Sequence, residues 1–183
     1  MLVKIFNIYK FYFLISAFVA LLLAIAYYPL SILGYFLIFL GAFLSPFLYE
    51  IDYFVYAYIL DPDSPFSITL RNLILAKNYK GAFIFAHENN KDMSYSVLRS
   101  ILVVLGVLGI AFILILSPNT SLFSIGIVLS FLLTSIYLQV VSLYTNSWKM
   151  WYSSFEIPID KKYAQLIIGA QLVIFIFFIL QIL

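Results

Sequence analysis

The chain has 183 residues, of which 65% are hydrophobic and only 10% charged, and its formal net charge is +2. Because soluble domains carry about 25% charged residues, this composition predicts an integral membrane protein whose main partner is the lipid bilayer. The absence of cysteine excludes disulfides and thiolate chemistry, and the small net charge without a basic run argues against nucleic-acid binding.

Long apolar runs predict an all-α integral membrane protein with five transmembrane helices in a single domain, 1–183. About 20 apolar residues are needed to cross the hydrocarbon core of a bilayer. The first run has no charge between Phe11 and Tyr28, and its length favours an uncleaved helix over a signal peptide. The predicted spans are 11–28, 31–50, 94–116, 121–144 and 163–183.

A more polar segment, 64–90, separates the second and third predicted spans. It follows Asp61-Pro62, which ends the second helix, and combines apolar with basic and amide side chains at helical spacing. It is too polar to cross the membrane, so we predict an amphipathic helical segment at the cytoplasmic interface or over the helix ends. His87, the only histidine, stands beside Glu88 and is predicted to be solvated, with a ligand role as the alternative.

All ten lysine and arginine residues fall on one side of a five-helix topology. They are Lys4, Lys10, Arg71, Lys77, Lys80, Lys91, Arg99, Lys149, Lys161 and Lys162. The connections on the opposite side, 28–31 and 117–121, contain no charge. By the positive-inside rule, this distribution predicts a multi-pass protein of the cytoplasmic (inner) membrane with a cytoplasmic N-terminus and an exported C-terminus.

Two acids, Glu50 and Asp52, lie inside the apolar run that forms the second predicted span. Carboxylates at the edge of the hydrocarbon are costly, so such residues are candidates for function. The alternative is that they only mark the point where the helix leaves the membrane. In the predicted topology they lie at the cytoplasmic boundary, where the third span begins and the fourth ends, and the three helices could form one pocket there.

The segment 49–53, Tyr-Glu-Ile-Asp-Tyr, resembles the Pro-Asp-x-Asp-His motif of a family of small inner-membrane proteins described as metal-dependent hydrolases. The family's second signature, a His-Ser or His-Thr pair that opens the next membrane helix, corresponds to Tyr95-Ser96. The resemblance spans roughly residues 30–162 and implies a similar helical scaffold.

The family's third signature is a histidine about four residues before an aspartate, which glutamine follows in some members. In this chain it falls on Thr134 and Leu138-Gln139, or on Ser135 and Gln139 in a register one residue later. Neither register contains the histidine or the aspartate. The resemblance therefore extends to the pattern of this segment but not to its ligands.

The chain resembles a degenerate member of the family, because the acid pair Glu50 and Asp52 is all that remains of the family's ligands. The positions that have lost their ligands are Tyr53, Tyr95, Thr134 and Leu138. A hydrolytic zinc or manganese site needs about three protein ligands, usually including imidazoles. The two acids are also separated by roughly 200° around a helix, so they do not face one ion. These departures from the family pattern indicate a retained scaffold with a lost metal site, so we expect no metal and no cofactor.

These features favour a hydrolase-like membrane protein that is catalytically inactive, a pseudoenzyme with a structural or interaction role and an unidentified protein partner. One alternative is a divergent hydrolase at the cytoplasmic face, with Glu50 and Asp52 as its catalytic candidates. A second alternative is a small transporter or an accessory subunit. Enzymatic activity stays open on the sequence alone.

Without a metal, Asp52 needs hydrogen-bond donors if it is shielded from water. We therefore predict that it is buried and accepts at least one side-chain hydrogen bond from the third or fourth span. The expected donors are the hydroxyls of Tyr53, Tyr95 and Thr134, with Arg99 as a candidate ion pair and Gln139 as a further polar side chain of the pocket.

Overall fold

A computed structural model describes residues 2–90, 93, 96–117, 119–152 and 159–183, with side chains from Tyr9 onward. In this part of the chain the regular structure is entirely helical, which confirms the predicted all-α class. The helices are α1 (Leu2–Ala26), α2 (Ile32–Val55), α3 (Pro65–Leu75), α4 (Tyr79–Glu88), α5 (Ile101–Leu116), α6 (Leu122–Tyr144) and α7 (Lys161–Ile182). A π-helical turn, Tyr56–Leu60, extends α2, and a 3₁₀ turn, Trp148–Tyr152, follows α6.

Four helices are long and apolar enough to cross a membrane, among the residues that the structure describes. Their spans are Tyr9–Ala26, Ile32–Leu60, Leu122–Tyr144 and Lys161–Ile182. The fifth predicted span, 94–116, corresponds to α5, which is apolar but has only 16 residues. Its predicted start was wrong, because residues 96–100 form a turn and the helix begins at Ile101.

The α6 helix is the most buried of the four long helices and packs against α1, α2, α5 and α7. It runs parallel to α2, and the two backbones approach closely at Gly41 of α2 and Gly126 of α6, each of which faces the backbone of the other helix. A Cβ atom on Gly126 would lie 2.7 Å from the carbonyl oxygen of Ile38, and one on Gly41 would overlap the carbonyl oxygen of Phe123. Glycine at both positions therefore allows this contact.

The α1 helix runs antiparallel to α2 and α6 and completes a three-helix core. Its Ser16 lies 3.1 Å from Ser130 of α6, hydroxyl to hydroxyl, and both side chains are fully buried. Apolar residues above and below this pair, such as Val19 and Leu129, are fully buried as well. The polar contact is therefore enclosed within the apolar core.

The segment predicted at 64–90 folds into the two helices α3 and α4, which cover the end of α2. Ser64 caps α3 and Asn78 caps α4, since each side-chain oxygen accepts a hydrogen bond from a first-turn amide. Phe66 and Leu70 of α3 and Ala82 and Ala86 of α4 pack with Tyr53, Tyr56 and Ala57 at the end of α2. The helices therefore have one apolar face, which lies over the bundle end.

Contacts place several of the described segments that carry lysine and arginine at one end of the bundle, here called the polar end. The ring of Tyr9, beside Lys10, lies against Phe83 of α4, and Arg99 contacts Tyr53 near the end of α2. Arg99 and Lys149 line one cavity. At the opposite end, a Cβ atom on Gly34 would lie 3.2 Å from Leu122, so the two uncharged connections are neighbours.

Candidate functional site

The last turns of α2 place four polar side chains at the polar end of the bundle: Tyr49, Glu50, Asp52 and Tyr53. Because successive residues of a helix are rotated by about 100°, these side chains face different neighbours. Each has a partner in another element, and together they form a buried polar cluster. Its members are Tyr49, Glu50, Asp52, Tyr53, His87, Ser96, Arg99 and Ser135.

Asp52 is fully buried and accepts three hydrogen bonds from the turn that precedes α5. The hydroxyl of Ser96 donates to Oδ2, while the backbone amides of Val97 and Leu98 donate to Oδ1 at 2.9 and 3.1 Å. The Ser96 hydroxyl also accepts from the amide of Arg99 at 3.0 Å. The predicted burial of Asp52 is confirmed. Its carboxylate anchors the turn, which explains why the helix starts later than predicted.

Glu50 pairs with His87 of α4, at 2.9 and 3.2 Å from Nε2 to the two carboxylate oxygens. Both side chains are largely shielded, with 16% of Glu50 and 9% of His87 exposed. The imidazole is surrounded by aromatic rings, with centroids at 4.7 Å for Phe83 and 5.4 Å for Tyr53. His87 therefore is not the solvated side chain that its polar sequence neighbours suggested, and α4 brings it back onto α2.

Arg99 is 7% exposed and donates through Nη2 to the Tyr53 hydroxyl at 2.7 Å. Burial alone would lower the pKa of Arg99, but its interactions with Tyr53, Tyr12 and Asp52 together raise the pKa above the usual value. The side chain is thus a buried cation. The predicted ion pair with Asp52 was wrong, since Asp52 bonds the Ser96–Leu98 turn and Arg99 bonds Tyr53.

Thr134 and Ser135 of α6 are both fully buried but differ in their partners. Ser135 forms a short hydrogen bond with the Tyr49 hydroxyl, which also lies 3.2 Å from the carbonyl oxygen of Phe131. The Thr134 hydroxyl has no hydrogen-bond partner among the described residues, so it is not the donor to Asp52 that was predicted. Of the two alignments considered for the third signature, the one that begins at Ser135 therefore places a hydroxyl against Tyr49, in the segment 49–53 of α2.

Gln139 lies outside this cluster and contacts α7. Its Nε2 atom donates to Oε1 of Gln171 at 2.8 Å, and the Tyr152 hydroxyl lies 3.4 Å from its Oε1. All three side chains are buried, and burial raises the pKa of Tyr152 to about 12. Gln139 thus connects α6 to α7 and is not among the described residues that line the cavity at the polar end.

A cavity of about 630 Å³ opens at the polar end, between the turn before α5, the end of α6 and the 3₁₀ turn. Arg99 and Lys149 supply positive charge to its wall, and Ser142, Thr145 and Ser147 supply hydroxyls. Leu138, Val141, Met93 and Trp151 form its apolar part. Of the two polar side chains predicted for a pocket, Arg99 lines this cavity and Gln139 is not among its described lining residues; Leu138, predicted as a former ligand position, also lines it.

The predicted degenerate ligand positions do not meet at one point. Tyr53 bonds Arg99, Thr134 is enclosed in the core, Leu138 lines the cavity, and Tyr95 lies outside the described residues. Over the described part of the chain, no three histidine, cysteine, aspartate or glutamate side chains come close enough to hold a metal ion. Glu50 and Asp52 instead face different partners, as their spacing on the helix predicts.

The fold and this cluster define a helical protein that can cross a membrane, with charged side chains buried at one end. Comparisons of the chain with protein-family models, with curated proteins and with solved structures found no match.

Proposed function

We propose that this chain is a catalytically inactive multi-pass membrane protein with a structural or interaction role, on a scaffold similar to that of the small inner-membrane hydrolases. The main support is that Glu50 and Asp52 both bond partners within the chain. Asp52 accepts three hydrogen bonds and Glu50 pairs with His87, so neither is available as an open metal ligand.

The support comes from what a hydrolytic site requires. A catalytic metal needs several convergent ligands and an open position for water. Here the carboxylate of Asp52 is fully buried and hydrogen-bonded to a turn, which is the arrangement of a structural residue. Ser135 and Tyr53 likewise connect α6 and the turn before α5 to α2. The motif residues therefore join helices that are distant in sequence.

The absence of a resident metal can be tested directly. We expect protein purified from membranes to contain no stoichiometric first-row transition metal, because its acids are bound to donors rather than converging on one point. Elemental analysis of wild type, Asp52→Ala and His87→Ala measures this. About one Zn²⁺ or Mn²⁺ per chain, lost in either variant, would show that the site is a metal centre and that the proposal is wrong.

We further infer that α5 is a fifth membrane crossing, which places the polar end in the cytoplasm and exports the C-terminus. Two features support this: α5 starts beside Asp52 at the polar end, and its last residue is followed by the short uncharged connection to α6. The lysines and arginines then all lie on the cytoplasmic side, as the positive-inside rule requires.

An alkaline phosphatase fused after Leu183 should be active, because export of the C-terminus places the enzyme in an oxidising compartment. The matched control is the same fusion after Asn146, which follows α6 and should be inactive. A green fluorescent protein at each position should give the reverse pattern. Cytoplasmic signals from both junctions would rule out the five-crossing topology.

A divergent hydrolase is the second candidate, and the Glu50–His87 pair is the observation that favours it. A carboxylate bonded to a histidine is an arrangement found in general-base catalysis. This reading predicts lipid or peptide hydrolysis that is lost in His87→Gln, whereas the non-catalytic proposal predicts no such activity in wild type. Hydrolysis assays with these two proteins in bilayers separate the candidates.

A further inference from the structure

The cavity at the polar end has a buried positive charge in its wall for which the described chain supplies no ion pair. Arg99 is 7% exposed and bonds a neutral hydroxyl, and its Nε atom has no hydrogen-bond partner among the described residues. The charge of Asp52 attracts Arg99, but no direct ion pair joins the two side chains, and the Asp52 carboxylate already accepts three hydrogen bonds. Because a buried charge is costly unless it is paired, this arrangement calls for an anion.

A second cation lines the same cavity. Lys149 is exposed and Asn146 adds a side-chain amide to the wall. The Ser142 hydroxyl already donates to the carbonyl oxygen of Gln139 at 2.6 Å, and Thr145 bonds the carbonyl oxygen of Val141 and the Ser147 hydroxyl, so these hydroxyls are engaged within the chain. No acidic residue is found among the described residues of the wall. Two cations in a wall without a described acid match the oxygens of a phosphate group, which accepts several charge-assisted hydrogen bonds at once.

The remaining wall is apolar and includes Leu138, Val141 and Trp151. Trp151 is buried and belongs to the apolar core of the bundle, so this part of the wall is continuous with the core. The volume of about 630 Å³ falls within the range of small-molecule sites, about 300–1,000 Å³. The cavity can therefore hold a phosphate together with part of the molecule that carries it.

We propose that this cavity binds a phosphate-bearing ligand, whose oxyanion lies between Arg99 and Lys149. The ligand is either the headgroup of an anionic phospholipid or a soluble phosphate, because in both the negative charge of the phosphate is not balanced by a cation of the same molecule, as it is in phosphatidylcholine. The proposal goes beyond the function proposed above and does not depend on it, since none of the residues involved belongs to the acid pair.

The two tryptophans provide a reporter, since they are the only ones in the chain and Trp151 lines the cavity. In Trp148→Phe, all tryptophan fluorescence comes from Trp151. This protein is placed in phosphatidylcholine nanodiscs that contain either brominated phosphatidylglycerol or brominated phosphatidylcholine at equal mole fraction. If the cavity takes an anionic headgroup, the phosphatidylglycerol quenches Trp151 more strongly.

Charge variants test whether the preference comes from the cavity. Lys149→Gln and Arg99→Gln should each weaken the apparent affinity for phosphatidylglycerol about tenfold, as expected for loss of a charge-assisted hydrogen bond. Arg99→Lys should retain much of it. Lys80→Gln is the control, because it removes an exposed charge of α4 that is not part of the cavity wall. Since Lys149 is exposed, its variant tests the site without disturbing the core.

A second arm distinguishes the sources of phosphate. Inorganic phosphate and glycerol phosphate are titrated into the protein in neutral nanodiscs, with Trp151 fluorescence and melting temperature as readouts. A saturable response lost in Lys149→Gln supports a soluble ligand, whereas a response only to phosphatidylglycerol supports a lipid. Equal quenching by the two brominated lipids together with no response to soluble phosphate would overturn the proposal. A preference reduced equally by Lys80→Gln would also overturn it, since that result indicates general surface charge.

Discussion

Asp52→Ala is expected to lower the melting temperature of the protein in detergent by a large amount. The substitution removes the acceptor of three hydrogen bonds, which leaves the buried Ser96 hydroxyl and the partly buried amides of Val97 and Leu98 without this partner. Each unsatisfied buried donor costs about 1–3 kcal/mol, and breaking a buried charged interaction costs about 3–5 kcal/mol. We therefore expect the free energy of unfolding to fall by about 3–5 kcal/mol.

The matched control is Asp63→Ala, which removes an acid from an exposed position between α2 and α3. It should change the melting temperature little. Asp52→Asn should fall between the two, because its amide oxygen can still accept from the backbone amides while its NH₂ group faces the Ser96 hydroxyl. Equal effects of Asp52→Ala and Asp63→Ala would contradict the anchoring role of Asp52.

Gly41→Ala and Gly126→Ala are expected to separate α2 from α6 and to destabilise the core. In both cases the added methyl group meets backbone atoms of the facing helix, at 2.7 Å for Gly126 and closer for Gly41. Backbone cannot rotate aside as a flexible side chain can. Overpacking of this kind costs about 1–3 kcal/mol, and more where the neighbour cannot yield. Thermal unfolding in detergent or lipid measures the effect.

Gly109→Ala of α5 and Gly169→Ala of α7 are the controls, because an added Cβ atom at either position has no neighbour within 4 Å. Alanine also favours a helix over glycine by about 1 kcal/mol, so these two variants should be at least as stable as the wild type. If all four substitutions shifted the melting temperature alike, the close approach of α2 and α6 would not be the cause.

Hydrophobicity alone predicts most of the fold, because an apolar run of about 20 residues has few alternatives to a membrane helix. The all-α class and the four long spans follow from this local signal. The start of α5 does not follow from it. The backbone amides of Val97 and Leu98 bond the carboxylate of Asp52, about 45 residues earlier in the chain, and the helix begins only after this turn. Hydropathy contains no information about such a distant acceptor.

The partners of the polar side chains were the least predictable part of the site. Glu50 and His87 are 37 residues apart, and the polar neighbours of His87 suggested a solvated loop. A usable signal was present, since Phe83 precedes His87 by one helical turn and places both on one face of α4. Similarly, the two registers considered for Thr134 and Ser135 differ by about 100° of rotation, which only the packing of α6 decides.

The shortness of α5 has a consequence for the surrounding bilayer. At about 1.5 Å per residue, its 16 residues rise about 24 Å, whereas the 22 residues of α7 rise about 33 Å. If both cross the membrane, the apolar thickness of the protein differs from one side to the other, and the lipids beside α5 must thin relative to the typical hydrocarbon thickness of about 30 Å. The protein would then favour thin bilayers, and acyl chain length would change its stability in the membrane.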